Sequence, residues 1–158
     1  MASCEKWLKD EDLTMARMPY CGQEIRIDGY YYYLYNGRVL DTYFFYRNGV
    51  IISAHGASGS HPLDELDVEF HSDSFVHSLH KYDYGVFQII NDSIVWEVWE
   101  LIQGPKSVLR FSGKILSDTS FVINQMELPH SGQVYPRHEV SYFHEFFPKP
   151  DSTNIYIP

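Results

Sequence analysis

Five of the eight histidines, His55, His61, His71, His77 and His80, crowd into one stretch with Asp64, Glu65, Asp67, Glu69 and Asp73, and neither Lys nor Arg falls between Arg47 and Lys81. Imidazole and carboxylate are the ligands a zinc-type divalent ion takes. His77 and His80 are three apart and Asp73 lies four before His77, so a single helical face would present all three. The same residues on a solvated helix face need no metal. Solvation is the reading adopted, and no metal site is assigned. The other chemistry this stretch offers is a pH response, because imidazoles change charge near about pH 6.5 beside those carboxylates.

Catalytic constellations do not assemble. No serine sits in a Gly-x-Ser-x-Gly elbow, and Cys21 has no His close by in sequence. Glu97 and Glu100 are three apart, which on a strand sends them to opposite faces. Gly56-Ala57-Ser58-Gly59 lacks the Lys of a phosphate loop. Catalytic residues and cofactors are therefore assigned as none, and a hydrolase is kept only as a third reading. It would need a carboxylate or Cys-His pair brought together from distant strands.

Twenty-one acids against twelve bases give a net charge of −9, which repels phosphate backbones and anionic bilayers alike. Nucleic acid is excluded as a partner, and a membrane is expected only through a lipid anchor. Ala2-Ser3-Cys4 matches the last three positions of a bacterial lipobox. If Met1 replaces a removed signal peptide, Cys4 is the lipidation site and the protein sits at the bacterial cell envelope; otherwise it is cytoplasmic. The polar run from Glu5 to Gln23 then reads as the spacer, and residues 1–24 as an N-terminal tether. No apolar stretch reaches the ~20 residues of a spanning helix, and as written the chain carries no apolar export segment.

The elements that would position any site are strands. Aromatic residues make up 16% of the chain, with thirteen Tyr and ten Phe, side chains that suit pleated surfaces. Ile25 to Tyr35, Val39 to Arg47 and Val50 to His55 are separated by Asn36-Gly37 and Asn48-Gly49, each a two-residue hairpin signal. A helical insertion over residues 61–81 follows: Pro62 opens it, Asp64 and Glu65 fall in its first turn, and Leu63, Leu66 and Phe70 share one face. Strands resume at Tyr84 to Ile90, turn at Asn91-Asp92 into Ser93 to Leu101, break at Gly104-Pro105, and continue through Val108 to Leu116, Thr119 to Glu127 and His138 to Phe147. Residues 148–158 form a Pro-rich tail that wraps the surface or frays. The expected fold is all-β, an up-and-down antiparallel barrel of about eight strands spanning 25–147, since closure removes exposed edges.

Alternation selects the faces. Leu109, Phe111, Gly113 and Ile115 are expected inside, with Arg110, Ser112 and Lys114 outside. A turn at Ser117-Asp118 pairs Leu116 with Thr119 and turns Val122, Asn124 and Met126 inward. Gly85, Phe87, Ile89, Ile94, Trp96 and Val98 face inward, and Trp99 faces out, where something must cover it. In the first meander Ile27, Tyr31, Tyr33, Phe44, Tyr46, Ile51 and Ser53 are placed inside. The candidate ligand-binding residues are accordingly Tyr31, Tyr33, Phe44, Phe87, Trp96, Phe111 and Asn124.

Beyond this patterning lies a resemblance. The strand Asp28-Gly29-Tyr30-Tyr31, a helical interruption, and a hairpin running from Tyr84-Gly85-Val86-Phe87-Gln88-Ile89 to Ile94-Val95-Trp96-Glu97 together resemble the bacterial lipocalin-like (calycin) β-barrel lipoproteins over most of residues 25–147. Tyr31 stands where the Gly-x-Trp signature of true lipocalins has Trp. The resemblance implies binding of a small apolar ligand; the reading adopted is a non-enzymatic protein holding a small apolar or aromatic ligand in its barrel, with the insertion from His61 to Lys81 as a gate. The alternative class is a structural or protein-interaction subunit with a filled barrel, meeting a protein partner or a second copy through Trp99 and the tyrosines of the first meander.

Overall fold

Eight antiparallel strands follow one another around the structure in chain order and close, the first pairing with the last. In the computed structural model, which describes residues 10–101 and 106–158, they are β1 (Gly29–Tyr35), β2 (Arg38–Phe45), β3 (Val50–Ala57), β4 (Tyr84–Ile90), β5 (Ser93–Leu101), β6 (Lys106–Ser117), β7 (Ser120–Leu128) and β8 (Gln133–Glu145). Two short helices, α1 (Pro62–Phe70) and α2 (Asp73–Ser78), and a 3-10 turn over Lys81–Asp83 stand between β3 and β4. The expected closed barrel with a helical insertion is thus the observed fold. Cys4 and the Gly104-Pro105 break lie outside the described residues.

The sheet separates two apolar cores. The lumen holds Tyr31, Tyr43, Phe45, Ile51, Phe87, Ile94, Trp96, Leu109, Phe121 and Ile123. Outside β1–β5, a second cluster gathers Tyr30, Phe44, Tyr46, Ile52, Leu66, Phe70, Phe75, Trp99 and Phe146. Helix α1 supplies Leu66 and Phe70 to it, with Leu63 packed alongside, as the three-and-four spacing requires. The Phe70 ring lies 5.1 Å from Phe44 and 5.3 Å from Tyr30, centroid to centroid. Ser72 caps α2, its hydroxyl accepting from the Phe75 N–H at 3.1 Å. Losing that cap in Ser72→Ala should cost about 1 kcal/mol, seen as a lower denaturant midpoint with an unchanged slope.

Two turns account for the inward-facing residues that the sequence misplaces. Asn36-Gly37 is the two-residue turn expected, with both residues at positive φ (50° and 76°). Asn48-Gly49 is not. Tyr46 and Val50 close a three-residue loop, the Tyr46 N–H donating to the Val50 carbonyl and the Gly49 N–H to the Tyr46 carbonyl, with Gly49 at φ 82°. The extra residue pairs Phe45 with Ile51 and Tyr43 with Ser53. Ile51 therefore faces the lumen as expected, whereas Phe44 and Tyr46 point outward and Tyr43 and Phe45 take their place.

The second correction falls at β6–β7. The turn is Asp118-Thr119, pairing Ser117 with Ser120 and Ile115 with Phe121, so Phe121 and Ile123 are the lumen residues rather than Val122. A bulge between Ile123 and Gln125 leaves Asn124 exposed and restores Met126 opposite Phe111. Asn124 is thus removed from the barrel interior.

The N-terminal segment, expected as a tether, is from residue 10 onward a strap laid across the barrel wall. Trp99 Nε1 donates to the Glu11 carbonyl at 2.7 Å, and Gln88 Nε2 to the Ala16 carbonyl at 2.9 Å. Glu97, 0% exposed on the outer face of β5, accepts from the N–H groups of Thr14 and Met15 and from the Thr14 hydroxyl at 2.6–2.9 Å, and Arg110 pairs with it at 2.8 Å. The strap then closes one end of the barrel. Tyr20 N–H donates to the Arg47 carbonyl and Arg26 N–H to Asp118, which brings Tyr20 and Ile25 into the lumen core. The C-terminal tail also wraps, with Ile157 buried and the Tyr46 hydroxyl donating to the Pro150 carbonyl.

Candidate functional site

With its lower end closed by the strap, the barrel is packed with rings there. Tyr31, Phe45, Phe87 and Phe121 lie within 4.9–6.0 Å of one another along this chain of contacts, and Tyr20 caps Phe87 at 5.7 Å. The Tyr31 hydroxyl is occupied by the Asp118 carbonyl at 2.7 Å. No ligand fits among these rings without displacing them.

The upper end is open. A cavity of about 270 Å³ is lined by Asp41 and Tyr43 from β2, Ser53 from β3, Val98 and Glu100 from β5, Leu109 and Phe111 from β6, Met126 from β7, and Arg137 and Glu139 from β8. It merges at Asp41, Ser53, Val98 and Glu100 with a shallower recess reaching Tyr82, Asp83 and Lys106. Trp96, wholly buried, packs against two of the lining rings, stacked on Phe111 at 5.4 Å and beside Tyr43 at 5.1 Å. One half of this chamber is aromatic and aliphatic, the other a rim of charge.

The barrel interior holds unpaired polar groups. Trp96 Nε1 and Ser141 Oγ are fully buried without a hydrogen-bond partner among the described residues. Ser141 faces the lumen because it pairs with Phe121 across the β7–β8 ladder. Tyr43 is 4% exposed, and among the described residues its hydroxyl likewise has no hydrogen-bond partner. Buried polar groups are nearly always satisfied, so Trp96 Nε1 and Ser141 Oγ are exceptions within the lumen, while the Tyr43 hydroxyl is the unpaired group that lines the cavity itself.

Electrostatics are lopsided. Arg137 pairs with Glu139 at 3.3 Å, leaving Asp41 and Glu100 without an ion-pair partner among the described residues. Burial, reinforced by the charges of Glu139 and Glu100 and only partly opposed by Arg137, pushes the Asp41 carboxyl up to about 6. Burial also raises the Tyr43 phenol well above its usual range, so it is a neutral hydroxyl at physiological pH.

Among the sequence-derived candidates, Phe111 lines this cavity, and Trp96 is stacked on it without lining the cavity itself. Tyr33 faces the same interior, opposite Asp41 and Ser141. Tyr31 and Phe87 belong to the plugged end, Phe44 packs under α1, and Asn124 is outside. Missed were Asp41, Tyr43, Glu100, Arg137 and Glu139. The signal for Asp41 and Tyr43 was present: with a three-residue loop at 47–49, both fall on the face of Ile51 and Ser53.

The histidine-rich stretch does not converge. His77 Nδ1 lies 2.6 Å from the Asp73 carbonyl oxygen on α2, while His80 lies beyond that helix and pairs with Asp83. His55 reaches Glu69 at 3.0 Å, and His144 meets Asp67, which also accepts from the Tyr30 hydroxyl. Among the described residues no group of three or more such side chains is placed to hold a metal. The His55–Glu69, His144–Asp67 and Tyr30–Asp67 contacts fasten the insertion to the barrel.

No family model, curated protein or solved structure matches this chain.

Proposed function

We propose that the protein is a non-enzymatic binding module of lipocalin-like type, holding a compact small molecule at the open end of its barrel. The observation that carries this reading is the cavity lined by Tyr43, Val98, Leu109, Phe111 and Met126 on its apolar side, into which the nearly buried Tyr43 offers a hydroxyl with no partner among the described residues. At about 270 Å³ it lies just below the ~300–1,000 Å³ usual for drug-sized ligands. Long acyl chains and bile acids are disfavoured, since the barrel below Trp96 is packed and capped.

Tryptophan fluorescence tests it. Single-ring compounds, charged and neutral, should change the emission in a saturable way, and Trp96→Phe should remove most of the response. Fatty acids should leave it unchanged. Silence from every single-ring compound would sink the reading. The interaction-subunit alternative loses its main contact, because Trp99 is 6% exposed and covered by the protein's own strap.

A further inference from the structure

The rim of the chamber points to the kind of molecule it takes. Asp41, Glu100 and Glu139 converge on the cavity from β2, β5 and β8, with one cation, Arg137, among them. Arg137 is engaged with Glu139. The adjoining recess adds Asp83 and Lys106, which offset each other, and Tyr82, whose hydroxyl donates to Asp10, so the acidic excess of the rim is not cancelled there. Three carboxylates against one guanidinium leave an excess of negative charge facing a partly desolvated space, where Coulombic attraction exceeds its value in water.

Acids on a barrel rim alone would signify only solvation. The second observation is Tyr43. It lies one inward position deeper than Asp41 on the same strand, is 96% buried by its 4% exposure, lines the cavity, and offers a hydroxyl with no partner among the described residues. A phenol can accept a hydrogen bond as well as donate one. A carboxylate without an ion pair above an unpaired phenol, walled by Phe111, Leu109 and Met126, suits a donor-bearing cation followed by an apolar ring. Aromatic faces also attract cations directly.

We propose, resting on the small-molecule reading above, that the ligand is a compact organic cation, a protonated amine of single-ring size whose ammonium group sits between Asp41 and Tyr43 and whose body packs toward Phe111 and Leu109. An anion of the same shape meets Asp41, Glu100 and Glu139 and is repelled. A neutral isostere keeps the stacking and loses the charge attraction.

The test is isothermal titration calorimetry of the intact chain with three matched probes: phenethylamine, 2-phenylethanol and phenylacetate. Phenethylamine should bind at least about tenfold more tightly than 2-phenylethanol, a difference of about 1.4 kcal/mol, and phenylacetate should not bind. Asp41→Asn should cost phenethylamine about tenfold or more while leaving 2-phenylethanol unchanged, and Tyr43→Phe should weaken the amine by a smaller factor. Equal binding of the amine and the alcohol, or preference for the acid, overturns the cation assignment and leaves the cavity reading standing. Binding of none of the three overturns both. Thermal melts of both variants, expected at or above the parent for Asp41→Asn, exclude misfolding as the cause.

Discussion

Glu97→Ala should cost about 3 kcal/mol and free the N-terminal strap. Glu97 is wholly buried on the outer face of β5 and accepts from the Thr14 and Met15 backbone N–H groups, the Thr14 hydroxyl and the Arg110 guanidinium. Removing one member of a buried charge pair costs roughly 3–5 kcal/mol because the partners are left desolvated and unanswered. The lower end applies, since the Arg110 side chain is 27% exposed and keeps a contact to Glu127 at 3.3 Å. For a chain of 158 residues this corresponds to a melting point lower by about 6–12 °C. The local consequence discriminates better than the global one. Tryptic cleavage after Arg17, within the strap, should accelerate by about tenfold or more while the barrel resists. Glu97→Gln, which keeps an acceptor oxygen but no charge, should fall between. A strap that stays protease-resistant in Glu97→Ala would mean that Trp99, Gln88 and Glu11 fasten it without the carboxylate.

This strap shows why part of the molecule was legible in sequence and part was not. The segment up to Gln23 is polar and without period, which reads as solvated chain. What docks it is backbone: carbonyls of Glu11 and Ala16 accept from Trp99 and Gln88, and backbone N–H groups reach Glu97. Hydropathy does not record backbone bonds to a distant strand. The covered position of Trp99, by contrast, was foreseeable, because an outward Trp in a strand demands a cover. The strand count, the Asn36-Gly37 turn and the apolar face of α1 were equally open to reading, since each is set by neighbours within a few residues.

Facing was legible only where polarity alternates. Along β6 the apolar Leu109, Phe111 and Ile115 alternate with Arg110, Ser112 and Lys114, and their lumen placement follows. Tyr43-Phe44-Phe45-Tyr46 offers no alternation because β2 is buried on both sides, by the lumen core within and by α1 and the C-terminal segment without. There the turn alone decided parity, and one more residue in the loop over 47–49 exchanged Phe44 for Tyr43. The same exchange hid the site, since the parity that brings Tyr43 inward also brings Asp41. Glu139 and Arg137 join it from nearly a hundred residues away, a proximity that only barrel closure creates.

Asp41→Asn should stabilise the protein at neutral pH, and the gain should vanish in acid. The carboxyl titrates at about 6 in the folded chain against 3.8 as its ordinary value, chiefly because burial and the charges of Glu139 and Glu100 penalise the ionised form. With the folded value raised, the native state holds more protons than the unfolded chain between these limits, so this group lowers stability as pH climbs through the window. Above about pH 6 the penalty is complete; below about 3.8 both states are protonated and it is absent. The shift corresponds at face value to about 3 kcal/mol, which solvent access at the rim reduces to about 1–2 kcal/mol. Melting points of parent and variant should therefore differ by about 2–8 °C at pH 7.5 and converge near pH 4. A constant offset across the range would show that ionisation of Asp41 is not the source. Carbon chemical shifts of the Asp41 carboxyl add a second reading of the same physics: a bound cation offsets the desolvation, so saturating phenethylamine should move its midpoint down toward the ordinary carboxylate range. A destabilising carboxylate kept unpaired inside a barrel mouth is the pattern expected of a residue retained for binding rather than for folding.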